Sequence, residues 1–268
     1  MTTTPRTGYA PVNGLNMYYE IHGTGEPLIL LHGGYGLTDM FSAVLPQLAA
    51  HRQVILADLQ GHGRTADIDR PLSLEAMGDD VAGLIEHLGL AQADVMGYSM
   101  GGGAALRTAI QHPELVRKLV VVSIPYKRSG WYPEMVAGMD QIGAQSAEFM
   151  KNTPMYENYI AVAPDPDHFV TLCDKMGQMM RRDYDWGDEV KELTMPVLLV
   201  AGDADGLPPA HAAQFFALLG GGLRDGSWDR SGMSKSQLAI LPDTTHYDIF
   251  FSPLLPAVVT PFLDGPIS

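Results

Sequence analysis

Continuous apolar runs alternate along the chain with segments in which apolar positions recur every three or four residues. A continuous run bounded by turn residues is typical of a strand buried on both faces, and the three-or-four spacing is typical of an amphipathic helix. Strands are predicted at 15–21, 27–32, 53–58, 93–97, 119–123, 197–201 and 237–241. Helices are predicted at 40–50, 74–88, 101–111, 210–219 and 253–263. This alternation predicts an α/β fold with a mostly parallel sheet and helices on both faces.

One region breaks the alternation, because residues 126–192 carry no strand pattern and are rich in methionine and aromatic side chains. Short helices cannot bury so many large side chains among themselves, so we expect part of this set to face a cleft. The flexible thioether of methionine adapts to irregular apolar ligands, which favours an apolar and tolerant pocket. The candidate pocket residues are Tyr35, Tyr98, Trp131, Met135, Met139 and Tyr159. We call residues 126–192 the insertion and predict that it divides a core made of 1–125 and 193–268.

The sequence Gly-Tyr-Ser-Met-Gly at 97–101 lies between a predicted strand and a predicted helix. In that context the G-x-S-x-G pattern is typical of a nucleophile elbow, a turn so sharp that the serine takes a strained backbone conformation. The flanking glycines remove side chains that would collide with the neighbouring strand and helix. We therefore predict that Ser99 is a catalytic nucleophile.

A serine hydroxyl needs a base to become nucleophilic, and the base needs a carboxylate to orient it. The strand at 197–201 is followed by Asp203 and Asp205, and the strand at 237–241 is followed by His246. The carboxyl ends of parallel strands meet at one edge of an open sheet, where sites form. Of the nine histidines, only His246 follows a C-terminal strand at this edge, so we predict that it is the base. Both aspartates remain candidates for the acid.

The chain between residues 13 and 263 resembles the α/β-hydrolase family. The motifs that carry the resemblance are LLHGGYG at 30–36, DLQGHGRT at 58–65, GYSMGGG at 97–103, GDAD at 202–205 and His246. The elbow is similar to that of cofactor-free haloperoxidases and related aryl esterases. The resemblance implies an α/β-hydrolase fold with a mostly parallel eight-stranded sheet, helices on both faces, and the insertion as a helical cap after the sixth strand.

The resemblance also implies roles for individual residues. It favours Asp205 as the acid. For Asp203 the alternative to an acid role is to cap the turn by bonding backbone amides. The backbone N–H groups of Gly34 and Met100 are then the predicted oxyanion hole, each worth roughly 3 kcal/mol of barrier. Two departures from the family pattern are the long polar segment 220–236, expected to be a surface excursion or a mobile loop, and the Thr-Thr pair before His246.

Composition narrows the class of protein and its partners. Hydrophobic residues make up 46% of the 268 residues and charged residues 18%, which is ordinary for a soluble globular protein. No apolar run approaches the roughly 20 residues of a membrane helix, and the first eight residues lack the apolar core of a secretory signal. The single cysteine, Cys173, excludes an intramolecular disulfide and fits a reducing compartment. These features together predict a cytoplasmic protein.

The net charge of −14 disfavours nucleic acids and anionic membranes as partners. The sequence shows no metal-ligand spacing, P-loop or Rossmann glycine fingerprint, so we predict no metal and no cofactor. The expected partner is a small-molecule ester, and a homodimer is left open.

The predicted function is hydrolysis of carboxylic esters of small-to-medium apolar substrates through an acyl-enzyme. Carbon–carbon bond hydrolysis of ring-cleavage diketones and perhydrolysis are alternatives that use the same triad. A ligand receptor built on a hydrolase fold is the non-enzymatic alternative. A serine at the elbow argues against the dehalogenase and epoxide-hydrolase branches of the family, whose elbow carries an aspartate.

Overall fold

Eight strands form one sheet in the computed structural model, which describes residues 5–266. The strands are Arg6–Val12 (β1), Leu15–His22 (β2), Glu26–Leu31 (β3), Arg52–Ala57 (β4), Ala93–Tyr98 (β5), Val116–Val122 (β6), Val197–Ala204 (β7) and Gln237–Thr245 (β8). Their order across the sheet is β1-β2-β4-β3-β5-β6-β7-β8. The β1–β2 and β2–β4 pairs are antiparallel and the other five pairs are parallel. The predicted mostly parallel eight-stranded sheet is confirmed.

The sheet separates two apolar cores. In β3, Ile29 and Leu31 face one core, and Leu28 and Leu30 face the other, because successive side chains of a strand point to opposite faces. Burial on both faces explains why the central strands are continuous apolar runs rather than alternating ones. The edge strand β1 buries only alternate positions at its end, so its sequence lacks such a run and the apolar pattern does not predict it.

The helices cover both faces of this sheet. They are Leu45–Leu48 (α1), Leu74–His87 (α2), Met100–Gln111 (α3), Pro133–Asp140 (α4), Ser146–Met150 (α5), Pro154–Val162 (α6), Phe169–Met180 (α7), Gly187–Lys191 (α8), Pro209–Leu218 (α9) and Leu254–Asp264 (α10). The single helix predicted at 40–50 is wrong: a 3₁₀ turn at Thr38–Phe41 precedes the short α1. Pro46 lies in the first turn of α1, and its missing N–H prevents a helix from running through it.

The insertion contains α4 to α8, and a single isolated β-bridge joins Lys127 to Asp185 within it. Its large side chains Trp131, Phe169 and Trp186 belong to the same apolar cluster as the helices on one face of the sheet. The insertion therefore packs on the rest of the molecule through a shared core. The division into 1–125 with 193–268 and 126–192 stays a prediction, and residues 1–4 and 267–268 lie outside the described range.

The segment 220–236 contains neither helix nor strand. It lies at the surface between α9 and β8, and it exposes the side chains of Leu223, Trp228 and Met233. Within residues 5–266, no helix is both long enough and apolar enough to cross a membrane.

Candidate active site

Ser99 occupies the turn between β5 and α3, with φ +53° and ψ −118°. This is the left-handed side of the backbone map, which a residue with a side chain seldom adopts. The Ser99 N–H donates to the carbonyl of Val122 in the neighbouring strand at 2.9 Å, which holds the turn in place. A Cβ on Gly97 would collide with the carbonyl of Gly101, and a Cβ on Gly101 would collide with that of His32. The elbow sequence is therefore the one that this tight turn requires.

The structure brings Ser99, His246 and Asp205 together in one line of hydrogen bonds. Ser99 Oγ lies 3.1 Å from His246 Nε2, and His246 Nδ1 lies 2.8 Å from Asp205 Oδ1. A carboxylate only accepts, so Nδ1 carries the proton and Nε2 is free to accept from the serine hydroxyl. His246 and Asp205 are both buried, and Ser99 is half-buried at the edge of the sheet. Sequence reasoning placed all three residues at this edge.

Asp205 is surrounded by donors. Its Oδ1 also accepts from the Gly206 N–H at 2.6 Å, and its Oδ2 accepts from the Ser123 hydroxyl at 2.5 Å and the Gly202 N–H at 3.1 Å. Burial acts to raise the pKa of Asp205, but the hydrogen bond and charge of His246, with the Ser123 and Gly202 bonds, outweigh it and lower that pKa. Asp205 is thus an ionised partner for His246 at neutral pH.

Asp203 has a different place. Its exposed carboxylate accepts from the Thr244 N–H at 3.1 Å and thereby ties the end of β7 to the end of β8, just before His246. The backbone bonds from Thr244 and Asp243 lower its pKa. The alternative in which Asp203 holds the turn agrees with this geometry.

Three other histidines are buried and held in the neutral state. Burial lowers the pKa of His32 to about 3 and those of His62 and His211 to about 4. His32 accepts the Leu59 N–H at Nε2 (3.0 Å) and contacts the Gly33 carbonyl through Nδ1 (2.7 Å), so both its nitrogens serve the loop. These rings support the fold, whereas the His246 ring meets Ser99.

The two predicted oxyanion donors lie on the wall of the cavity beside Ser99. Met100 is the first residue of α3, so its N–H has no acceptor within the helix and lies at the positive end of the helix dipole. Gly34 lies in the loop after β3. The N–H of the preceding residue, Gly33, donates to the Met40 sulfur at 3.4 Å and helps to hold this loop. A Cβ on Gly34 would come 2.8 Å from the Met176 methyl group, so the insertion presses on this loop.

A cavity of about 780 Å³ lies over Ser99, between the core and the insertion. Five of the six predicted pocket residues line it, namely Tyr35, Tyr98, Trp131, Met135 and Met139. Tyr159 is not part of its wall: the ring packs against Phe169 at 5.1 Å between centroids, and the hydroxyl donates to the Asp165 carbonyl at 3.4 Å. Tyr159 faces α7, inside the insertion, because α6 buries this side chain against that helix.

Several cavity residues were not predicted from the sequence. The apolar and aromatic ones are Leu37, Met40, Leu74, Ile124, Ile142, Pro154, Met155, Met179, Met180, Tyr184, Trp186, Tyr247 and Phe250. The charged ones are Asp39, Glu75, Arg128, Glu134, Arg182 and Asp183. Arg128 is already engaged, since its guanidinium donates to Asp140 at 2.6 Å and to the Met180 carbonyl at 3.0 Å. The walls are thus mainly apolar, and acidic groups outnumber basic ones among the charged residues.

Ser123, which bonds to Asp205, is a further site residue that sequence reasoning missed. It comes directly after the last residue of β6, and its hydroxyl reaches Asp205 only because β6 and β7 are neighbours in the sheet. Strand order is not visible in a local pattern, so the sole signal was a polar residue at the end of the apolar strand predicted at 119–123. Among residues 5–266, no three histidine, cysteine or acidic side chains are grouped so as to hold a metal ion.

Comparisons with known proteins agree with this architecture. A family model described as "alpha/beta hydrolase fold" matches residues 26–224. A protein named "Putative carbamate hydrolase RutD" from Azorhizobium caulinodans is 27% identical over 224 residues, which cover 78% of this chain and 84% of that one. 2-Hydroxymuconate semialdehyde hydrolase from Pseudomonas sp. (strain CF600) is 40% identical over 113 residues, covering 41% of this chain and 40% of that one.

Solved structures show the same fold at lower identity. Carboxylesterase CesB from Bacillus subtilis has a TM-score of 0.75 and 18% identity, with 99% of this chain and 93% of that chain covered. E-2-(acetamidomethylene)succinate hydrolase has a TM-score of 0.74 and 20% identity, with 98% and 100% covered. Because the family model spans most of its length, the chain belongs to the α/β-hydrolase family.

Proposed function

We propose that this protein is a serine hydrolase that cleaves carboxylic esters through an acyl-enzyme. The observation that carries the proposal is the unbroken line of hydrogen bonds from Ser99 Oγ through His246 to Asp205, which opens on a mainly apolar cavity. A serine activated by an oriented imidazole is the arrangement that acyl transfer requires.

In the first half of the reaction, Ser99 Oγ attacks the ester carbonyl carbon while His246 Nε2 takes the hydroxyl proton. Asp205, kept ionised by its donors, stabilises the imidazolium that forms. The Gly34 and Met100 N–H groups hold the developing oxyanion, and loss of one such donor typically lowers kcat by about 10²–10³-fold. His246 then gives the proton to the departing alkoxide, and the acyl group stays on Ser99.

In the second half, water enters the site in place of the alcohol. His246 Nε2 takes one proton from this water, and the resulting hydroxide attacks the acyl carbonyl. The oxyanion collapses, the bond to Ser99 Oγ breaks, and the proton on His246 returns to the serine. The products are a carboxylic acid and the free enzyme, so the cycle closes without any cofactor.

The cavity suggests which esters fit. Its methionine and aromatic walls favour an apolar acyl or alcohol group, since burial of apolar surface contributes about 25 cal/mol per Å². A volume of about 780 Å³ lies within the range of small-molecule sites. A carboxylate in the same space would lose its hydration, and Arg128 is already paired with Asp140.

Carbon–carbon bond hydrolysis is the second candidate. It is favoured by one observation, the 40% identity over 113 residues with a protein named 2-hydroxymuconate semialdehyde hydrolase. The matched part covers 40% of that relative, so its activity is not carried over as a whole. Both reactions attack a carbonyl carbon, and they differ in whether the leaving group is an alkoxide or a carbanion.

A panel assay distinguishes these functions. The purified protein is tested with p-nitrophenyl butyrate and with a ring-cleavage diketone, and it is treated with a fluorophosphonate followed by mass spectrometry. Ester turnover with a phosphonyl adduct on Ser99 supports the proposal, and faster turnover of the diketone favours the second candidate. If the protein shows no turnover of either substrate and forms no adduct, both enzymatic functions are overturned and a receptor is favoured. Ser99→Ala is the matched control for the labelling.

A further inference from the structure

The turn after β6 holds a second strained serine. Ser123 comes directly after Val122, the last residue of β6, and has φ +56°. Its N–H donates to the Val200 carbonyl of β7 at 2.9 Å, and the residue is almost completely buried. In the left-handed region a serine is strained and a glycine is not. The strain at Ser123 therefore points to a role for its side chain.

The hydroxyl of Ser123 has one partner, Asp205 Oδ2, at 2.5 Å. The other donor to that oxygen is the Gly202 N–H, and the Gly206 N–H binds Oδ1. Gly202 lies near the end of β7 and Gly206 directly follows Asp205, so both donors belong to the same short chain segment as Asp205 and move with it. Ser123 and His246 are the two partners that come from other strands or loops, and each binds a different carboxylate oxygen.

We propose that Ser123 is a positioning residue, whose hydroxyl fixes the plane of the Asp205 carboxylate so that Oδ1 stays aimed at His246 Nδ1. The proposal rests on the proposed serine hydrolase mechanism. Ser123 is not among the residues that line the cavity, so it acts on the reaction through Asp205 and not through the substrate. The hydroxyl also donates to the carboxylate of Asp205, whose side chain is fully buried, and this bond helps to keep the carboxylate ionised.

Three substitutions separate the hydroxyl from the backbone. Ser123→Ala removes the hydroxyl and keeps the strain, Ser123→Gly removes the hydroxyl and relieves the strain, and Ser123→Thr keeps the hydroxyl. A hydrogen bond to a charged group contributes enough for a loss of about tenfold in kcat. We expect that loss in both Ala and Gly variants, with equal values within twofold, an unchanged KM, and activity near wild type in Ser123→Thr. A loss in Ser123→Ala that Ser123→Gly restores would overturn the proposal, because the backbone would then be the cause.

A double-mutant cycle tests whether Ser123 acts through Asp205. In the Asp205→Ala background there is no carboxylate to position, so adding Ser123→Gly should lower the residual kcat by less than twofold. A tenfold loss in both backgrounds would overturn the proposal and indicate a general structural role. This cycle uses the Gly variant, so it does not depend on whether Ser123→Thr folds.

The cycle also distinguishes failure of this inference from failure of the proposed function. If Ser99→Ala removes activity but the Ser123→Gly and Asp205→Ala losses are additive, the hydrolase mechanism stands and the positioning role falls. If Ser99→Ala and Asp205→Ala both keep activity within tenfold of wild type, the mechanism itself is wrong and the positioning role falls with it.

Discussion

The turns after β5 and β6 each begin with a serine of nearly the same positive φ, but the two serines have different surroundings. Ser99 and Ser123 each come directly after the last residue of a strand, with φ +53° and +56°. Each donates its N–H at 2.9 Å to the carbonyl of the last or near-last apolar residue of the next strand, Val122 in one case and Val200 in the other. One hydroxyl meets His246 and the other meets Asp205, so the two serines stand at opposite ends of one line of hydrogen bonds.

The chain segment after each serine explains the difference. After Ser99 the helix α3 begins at once, which places an unpaired N–H and a helix dipole beside the hydroxyl. After Ser123 come Ile124 and Pro125, which lie outside any helix. The cavity reaches Ser99 and does not include Ser123 in its wall. A strained serine at a strand end therefore becomes a candidate nucleophile only where a helix N-terminus and a cavity coincide with it.

Removing the Ser99 hydroxyl should have the largest effect. We expect Ser99→Ala to lower kcat for p-nitrophenyl butyrate by about four decades or more, because Ser99 is the nucleophile of the proposed triad and triad members act as a unit. The thermal unfolding midpoint should be unchanged, since a single half-buried oxygen is lost from the edge of the sheet. Activity within tenfold of wild type would show that Ser99 is not the nucleophile, and the proposed difference between Ser99 and Ser123 would then fall.

Replacing Asp205, the proposed acid, should have the second largest effect on kcat. Asp205→Asn keeps the shape of the side chain but cannot stabilise the imidazolium, and we expect kcat to fall by about 10³–10⁴-fold. Asp203→Asn is the matched control two residues away, and its kcat should stay within about threefold because its exposed carboxylate binds backbone N–H groups and not His246. Kinetics on both variants, with circular dichroism to check folding, decide the question. A larger loss in Asp203→Asn would contradict the assignment of Asp205.

The close packing around the turn between β5 and α3 gives a third test, which measures stability. Gly101→Ala would push a Cβ into the backbone of His32 and Leu31, and we expect the free energy of unfolding to fall by about 3 kcal/mol. Gly138→Ala is the control, because a Cβ built there has no atom within 4 Å apart from its chain neighbours and the nearby backbone of its own helix. In the helix α4 this change should stabilise by up to about 1 kcal/mol. Urea unfolding of the two variants measures the difference, and equal stabilities would remove the steric argument.

The cavity over Ser99 predicts a preference between esters. Of two matched esters, one ending in methyl and one in carboxylate, the anionic one should have a kcat/KM about 30-fold lower, because the carboxylate loses its hydration without a partner. Repulsion by the acidic exterior is screened over about 8 Å at physiological salt, whereas desolvation is not. High salt should therefore raise the rate of the anionic ester by less than threefold. A preference for the carboxylate would reveal a cationic anchor, with Arg182 on the cavity wall as the first residue to replace.

The smallest expected effect is on the pH dependence of stability, and it concerns His62. Asp205 has a hydrogen-bond partner at both carboxylate oxygens, whereas one ring nitrogen of the buried His62 has none among the residues described. His62 Nε2 is buried without a hydrogen bond among the residues described, and burial lowers the His62 pKa to about 4. Below its unfolded pKa of about 6.5 the unfolded chain therefore binds more protons than the native state, so the free energy of unfolding falls as the pH drops. Between pH 6.5 and 5.5 the loss from His62 is about 1 kcal/mol.

His62→Asn takes up no proton in either state and keeps a donor for the Gln60 carbonyl that His62 Nδ1 contacts. Its stability should therefore fall less steeply with decreasing pH than that of the wild type, by about 1 kcal/mol over this interval. Urea unfolding at pH 6.5 and pH 5.5 measures both slopes. Identical slopes would mean that His62 titrates normally in the folded protein.

Sequence patterns predicted the parts of the site that depend on local structure. The strand, the G-x-S-x-G turn and the helix are contiguous in the chain, so Ser99 and the Met100 N–H could be placed from their neighbours. His246 could be placed because it comes after a strand. The helix at 40–50 was wrong because the proline at position 46 interrupts an otherwise apolar helical pattern.

Features that depend on contacts between distant segments were not predictable in this way. Ser123 reaches Asp205 across 82 residues of sequence, and the contact exists only because β6 pairs with β7. Tyr159 and Met135 are both large apolar residues on insertion helices, yet one faces Phe169 and the other faces the cavity. In helices that are so short and so apolar, the sequence pattern does not indicate which side faces the cavity.

The three tryptophans of the chain have unequal surroundings, and this gives the protein a built-in optical probe. Trp131 and Trp186 line the cavity, and the Trp131 indole meets the His246 ring edge-on at 5.5 Å between centroids. Trp228, on the segment 220–236, is fully exposed. Its emission comes from an indole in contact with water and is open to quenching by iodide. In Trp228→Phe all remaining indole fluorescence would arise from the cavity wall, so a shift of the emission maximum would report an occupant directly, without a label.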